Sequence, residues 1–267
     1  MTDVAFYEVR SSARAWAPDH YFTALLAPRG AQADLVALAA FLGDVERIVA
    51  TVSEPALAEI RLQWWRDAIF GAAQGELTGH PLADALGAAI RRHGLPVAEF
   101  AGLIEARTGD LYADPIADEQ ALGMYFHHTD GAAFRLAARC LGSQVWGVNL
   151  VQHTKHAYGI TRLIRTLPVA LARGRMPLPG VDYDNSARMQ EGLRRWHQTA
   201  RDRLVLGRAI WRHSPLPERA ACLPLALVAP YLEAIGRPGH DPARMVADIA
   251  PLTRLWRLWL AHVTGRC

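Results

Sequence analysis

Apolar residues recur along this chain at steps of three and four. Leu35, Leu38, Leu42, Val45 and Val49 make one such row, a single apolar face on a helix. Leu57, Ile60, Trp64 and Ala68 make the next. It follows Ser53-Glu54-Pro55, where a capping serine, an acid and a proline suit a first helical turn. Gly71 and Gly75 are expected to end that helix. The same spacing predicts helices near 81–93 and 96–111, parted by the Gly94-Leu95-Pro96 break, and over 117–142, 146–172, 186–212, 218–235 and 243–262. Residues 176–185 and 236–242 read as loops. Period-two alternation is almost absent, so the pattern predicts no sheet and an all-α fold. No repeat of fixed period appears, and no stretch is rich enough in Gly, Ser or Pro to divide the chain. We therefore expect one domain over residues 1–267; the 176–185 loop is the best candidate boundary and too short to need one.

Composition narrows the classes. Hydrophobic residues make up 51% of the chain, enough for a sizeable core, and charged residues 21%. A formal net charge of +3 does not argue for nucleic acid, and no such partner is expected. The positive charge is almost all arginine, with Lys155 the single lysine. A GC-rich genome accounts for that bias; anion binding, through the forked bonds of guanidinium, is the functional alternative. Cys140, Cys222 and Cys267 match no zinc or redox spacing and suit a reducing compartment. Residues 1–16 lack the apolar core of a secretory signal, and no run is long and apolar enough to span a bilayer. The expectation is a cytoplasmic protein able to touch a membrane surface.

Several segments, in order and spacing, resemble the squalene/phytoene synthase family. They are Asp19-His20-Tyr21-Phe22-Thr23-Ala24-Leu25-Leu26-Ala27-Pro28, Leu38-Ala39-Ala40-Phe41, Leu62-Gln63-Trp64-Trp65-Arg66, Leu103-Ile104-Glu105-Ala106-Arg107 with Asp110-Leu111-Tyr112, Tyr125 through Gly131, and Gly174-Arg175-Met176-Pro177-Leu178-Pro179. The resemblance covers most of the chain to about residue 180. It implies an isoprenoid-synthase-like bundle of about eight to twelve helices around a central cavity.

Active members of that family join two prenyl diphosphates head to head. Magnesium neutralises the leaving diphosphate, held by Asp-x-x-x-Asp pairs whose i, i+4 spacing puts both carboxylates on one helical face. Aligned on the resemblance, the first pair falls near Glu46-Arg47-Ile48-Val49-Ala50, where only Glu46 offers a carboxylate. The second falls at Thr166 and Ala170, after Leu163-Ile164-Arg165 and around Pro168. A single acid makes a poor magnesium site. A site rebuilt from Asp44, Glu46, Asp182 and Asp184 is the alternative.

What remains is basic and aromatic. The candidate substrate-binding residues are Glu46, Arg61, Trp65, Tyr125, Arg165 and Arg175; no residue is assigned to catalysis or to metal. Arg162, Arg165, Arg173 and Arg175 surround the second motif, where they could hold a diphosphate or an acidic headgroup without metal, or pair with nearby acids. Of Trp64 and Trp65, one is expected in the core and one against a neighbour or cavity. Asp130-Gly131 is expected to be a point of close helix packing. Arginines at 188, 194, 195, 201, 203, 208 and 212 form a basic helix, and Leu252, Leu255, Trp256, Leu258, Trp259 and Val263 make the last helix strongly apolar on one side.

Thr51 to Arg66 also resembles one branch of the family, which contains mitochondrial complex I assembly factors and bacterial relatives that lack the aspartate motifs. That resemblance implies a non-catalytic protein without a cofactor. It would act in assembly or stability of a respiratory membrane complex, contact the inner membrane peripherally, and keep a lipid or isoprenoid. A magnesium-dependent prenyltransferase acting on farnesyl or geranylgeranyl diphosphate is one alternative; a polyprenyl-lipid carrier or sensor is the other.

Overall fold

A computed structural model of the chain describes residues 3–52, 54–144 and 149–267, with side chains from residue 7 onward. Among the described residues all regular structure is helical, in fourteen α-helices and one π-helical turn. The chain is all-α, as the periodicity predicts, with more helices than expected. Part of the excess comes from breaks that the periodic pattern runs through, and part from α1 (Asp3–Trp16) and α2 (Pro18–Leu25), which that pattern does not predict.

The first compact unit comprises Met1–Tyr112, Ala132–Trp146 and Leu216–Ala221. It contains α1 (Asp3–Trp16), α2 (Pro18–Leu25), α3 (Arg29–Thr51), α4 (Pro55–Ala73), α5 (Pro81–His93), α6 (Val97–Gly109), α8 (Ala132–Cys140) and α12 (Leu216–Ala221). Phe41 on α3 centres its core, edge-on to Trp65 at 5.1 Å and to Phe100 at 5.5 Å. α5 ends as its sequence suggests, on Gly94 in the left-handed region, with its N–H returned to Ile90 O. α4 starts on Pro55 with Glu54 at the cap position and no side-chain cap from it; the expected cap Ser53 lies outside the described residues.

The α4 face differs from expectation. Leu57, Ile60 and Trp64 are exposed, whereas Ala58, Leu62, Trp65, Ala68, Ile69 and Ala72 are buried. The helix carries two overlapping apolar rows, and the row rich in small residues is the buried one.

The second unit comprises Ala113–Gly131, Gly147–Pro215 and Cys222–Cys267. It contains α7 (Glu119–Phe126), the π turn His127–Gly131, α9 (Asn149–Arg165), α10 (Leu167–Leu171), α11 (Ser186–Trp211), α13 (Leu225–Ile235) and α14 (Pro251–Thr264). Asp118 caps α7 by accepting from Ala121 N at 2.8 Å, and Asn185 caps α11 by accepting from Ala187 N and Arg188 N at 3.1 Å. The expected 146–172 helix divides at Thr166, because Pro168 cannot donate into the preceding turn. The expected 243–262 helix begins only at Pro251. The close packing expected at Asp130-Gly131 occurs across from it: a Cβ on Gly159 of α9 would lie 2.5 Å from the buried Phe126 ring.

Candidate functional site

Each of the two expected metal motifs lies on a helix whose neighbours are defined. On α3, Asp44 Oδ1 accepts from Arg47 Nε at 3.0 Å and Nη2 at 2.6 Å, and its Oδ2 accepts from Trp65 Nε1 at 2.9 Å. Both carboxylate oxygens are thereby engaged. Glu46, two residues on and turned about 200° round the helix, pairs with Arg107 of α6 at 2.8 Å, and the same guanidinium bonds Asp110 at 3.0 Å. Arg107 is nearly buried and bridges two acids. Ala50 supplies only a methyl group.

The second motif spans the junction of α9 and α10, with Thr166 at the cap position of α10 and Ala170 inside it. Thr166 spends its hydroxyl proton on Arg162 O at 2.9 Å, a local back-bond, and Ala170 has no donor atom in its side chain. Arg162 forks onto Asp130 of the π turn, Nε to Oδ1 and Nη2 to Oδ2, both at 3.0 Å. Arg165 lies over the Tyr231 ring, 4.2 Å from its centroid, a cation–π contact that anchors the end of α9 to α13. Arg175 is half-buried, and its backbone N–H returns to Ala170 O at 3.0 Å.

The other candidates are placed as follows. Trp65 is 1% exposed and is the core member of the tryptophan pair, with Trp64 outside it. Tyr125 is half-buried on α7, edge-on to Phe126 at 5.9 Å. Arg61 is exposed on α4. Its helix borders an open cleft of about 580 Å³ beside α6, lined by Ile60, Gln63, Trp64, Arg66, Glu105 and Thr108. Within that cleft Arg66 pairs with Glu105 at 2.6 Å. In the first unit Trp65 thus belongs to one group with Asp44 and Arg47, and Glu46 to another with Arg107 and Asp110, while Arg165 lies in the second unit one turn from Arg162 of the Arg162–Asp130 pair.

Two features escaped the periodic reading. One is Asp130 as the partner of Arg162. The other is Asp34, a buried acid that binds Arg92 at 2.5 Å and His93 at 2.8 Å. An acid inside an apolar helical row was the available signal for Asp34; for Asp130, nothing local pointed to α9.

Electrostatics on α9 are set by burial and clustered cations. Burial pushes the His153 and His156 imidazoles below their ordinary value, and the nearby Arg203 charge acts in the same direction. Burial also pushes the Tyr183 hydroxyl up to about 12. In the first unit, burial pushes the Cys140 thiol up to about 12, with Asp34 adding to the effect, so that thiol behaves as a small apolar group.

Magnesium, which the resemblance implies for active relatives, needs several oxygen ligands converging on one point. Among the described residues no group of three or more His, Cys, Asp or Glu is placed to hold a metal ion. On α3 the two acids already face arginines, and at the start of α10 the motif positions carry a hydroxyl and a methyl, so neither donor set fits the ion. No described helix is long and apolar enough to cross a membrane.

Comparison with known proteins adds the wider context. The chain is 27% identical to the rat "NADH dehydrogenase (ubiquinone) complex I, assembly factor 6" over 237 residues, covering 84% of this chain and 71% of that protein. It is 27% identical to the bovine protein of the same name over 160 residues, and there it spans about half the relative, 48%. The human protein is 24% identical over 179 residues, covering 62% of this chain and 54% of that protein. Among solved structures, a squalene synthase from Alicyclobacillus acidocaldarius superposes with a TM-score of 0.72 at 22% identity, over 89% of this chain and 95% of that one. A dehydrosqualene synthase superposes with a TM-score of 0.73 at 13% identity, over 98% and 97%. These likenesses give the fold, that of the isoprenoid synthases. The squalene/phytoene synthase family model matches residues 13–257, nearly the whole chain and both compact units, and the chain belongs to that family.

Proposed function

We propose that this chain is a member of the squalene/phytoene synthase family that has lost both metal motifs and no longer transfers prenyl groups. It acts instead in assembly or stability of a respiratory membrane complex resembling complex I. It needs no cofactor, works as one domain at the cytoplasmic face of the inner membrane, and retains a lipid or isoprenoid as ligand. The observation that carries the loss of chemistry is the occupation of Asp44 by Arg47 and Trp65 and of Glu46 by Arg107. A magnesium site would have to displace guanidinium groups from each carboxylate, and Asp44 would also lose an indole donor. The assembly role is supported by the relatives of similar sequence, which are complex I assembly factors. Glu46, Arg61, Trp65, Tyr125, Arg165 and Arg175, the candidate ligand-binding residues, serve in this reading as packing and charge partners or line the ligand, rather than acting on diphosphate.

The test is genetic. In cells depleted of this chain, the amount of assembled NADH dehydrogenase complex on native gels is expected to fall. Wild type and Glu46→Gln are expected to restore it equally. An unchanged complex, or rescue that fails with Glu46→Gln alone, would count against the proposal.

A further inference from the structure

α14 presents an apolar stripe that the rest of its unit leaves uncovered. Leu252 is 79% exposed, Trp256 57% and Trp259 45%, with Leu255 and Val263 also exposed. At 100° per residue these five positions fall within one third of the helix circumference. Leu258, Ala261 and Arg254 hold the opposite side, and all three are buried. Burial on that side fixes the helix: Arg254 donates to Tyr231 Oη at 3.0 Å and to Asp248 at 2.9 Å. The exposed stripe is therefore a set face of a docked helix. The two indoles stack upon each other, centroids 5.2 Å apart and planes 29° apart, and form a flat aromatic plate on the surface.

Charge selects what covers it. From Ile249 to Cys267 the chain contains no acid. Exposed His262 borders the stripe on one side, exposed Arg266 follows the helix end, and exposed Arg257 lies about 100° round the helix from the stripe's other edge. The side chain of Cys267 is bonded to Arg208 of α11, which brings a further exposed arginine to the same end. The Asp248 carboxylate that precedes the helix is committed to Arg254. Indole rings favour the boundary between hydrocarbon and headgroup, and arginines lay their stems along that boundary while the guanidinium meets phosphate. A protein partner matching this face would need a purely apolar strip edged by acids. An anionic bilayer offers both without further design.

We infer that α14 is the membrane-docking surface of this chain, inserting its Leu252–Trp256–Trp259 stripe into the interface of an anionic phospholipid bilayer. The inference is independent of the assembly reading, since a protein active on prenyl lipids could dock the same way.

The test is flotation of the full chain with vesicles of phosphatidylcholine alone or mixed with phosphatidylglycerol, together with tryptophan emission. Binding to the anionic vesicles is expected, with a blue shift and weakening by salt. Trp256→Ala with Trp259→Ala is expected to weaken binding roughly tenfold or more, and Arg266→Ala roughly fivefold. Both indoles are exposed, so circular dichroism and thermal melting should stay close to wild type. Trp64→Ala, an exposed tryptophan on α4, should bind as wild type does. Failure of wild type to float, equal binding to neutral vesicles, or unchanged binding by the double variant would each overturn the inference. A wild-type dimer that becomes monomeric in the double variant without any vesicle binding would assign the stripe to a second copy. None of these failures alters the predicted assembly phenotype or the expected lack of turnover, so the two readings fail separately.

Discussion

Replacing Trp65 by alanine is expected to destabilise the protein by about 3–5 kcal/mol, the usual cost of removing a large buried aromatic. The indole is 1% exposed and sits edge-on to Phe41, which in turn meets Phe100, so its loss opens a cavity at the centre of the first unit. It also removes the donor that Asp44 Oδ2 accepts. Trp65→Phe separates the two effects. It keeps most of the packing, deletes the N–H, and should cost about 1–3 kcal/mol. Urea unfolding followed by circular dichroism reads both. A Trp65→Ala loss below that of Trp65→Phe would show that the indole is not part of the packed core.

Asp130→Ala is expected to cost about 3–5 kcal/mol, because it strands Arg162 in a nearly dry site. The carboxyl is 5% exposed and the guanidinium side chain 12%, and their two parallel bonds hold the π turn against α9. Arg162→Met should cost a similar amount for the mirrored reason. The double variant Asp130→Ala with Arg162→Met leaves no uncompensated charge, and it should be less destabilised than the sum of the two singles by about 1–3 kcal/mol. Additive losses would mean that the pair is not coupled. Gly159 makes this arrangement possible: a Cβ there would lie 3.0 Å from Asp130 Oδ2 as well as against Phe126.

The helical architecture and the family were legible because both rest on features that act locally or in sequence order. Apolar steps of three and four gave α5 and α6 nearly to the residue and the apolar row at the middle of α3, and Gly94 and Pro96 marked a break whose geometry any helix must respect. Side-chain pairing across helices was not legible. Arg107 could have paired with any of several acids, and its bridge between Glu46 and Asp110 depends on how α6 lies against α3. Likewise the sequence around Tyr125-Phe126-His127-His128 has plain helical character and does not announce the π turn over His127–Gly131, whose Asp130 meets Arg162 of α9. On α4 the pattern offered two apolar rows and no means to rank them. The row that carries Leu62, Trp65 and Ile69 among small residues was the one buried, leaving Leu57 and Ile60 outside. α10 and α12 are too short to leave a periodic trace. For the candidate site, the resemblance pointed to Glu46, Thr166 and Ala170, whereas the arginines that pair with Asp44 and Glu46 appeared only in three dimensions.

The central claim is the loss of prenyl transfer. Its most direct test incubates the purified full chain with labelled farnesyl and geranylgeranyl diphosphate and magnesium, following extracted product and released diphosphate together. The account predicts no product and no diphosphate release, and a melting temperature that magnesium with diphosphate leaves unchanged. Turnover that requires magnesium and disappears in Glu46→Gln would contradict it, and would show a metal site rebuilt around fewer acids.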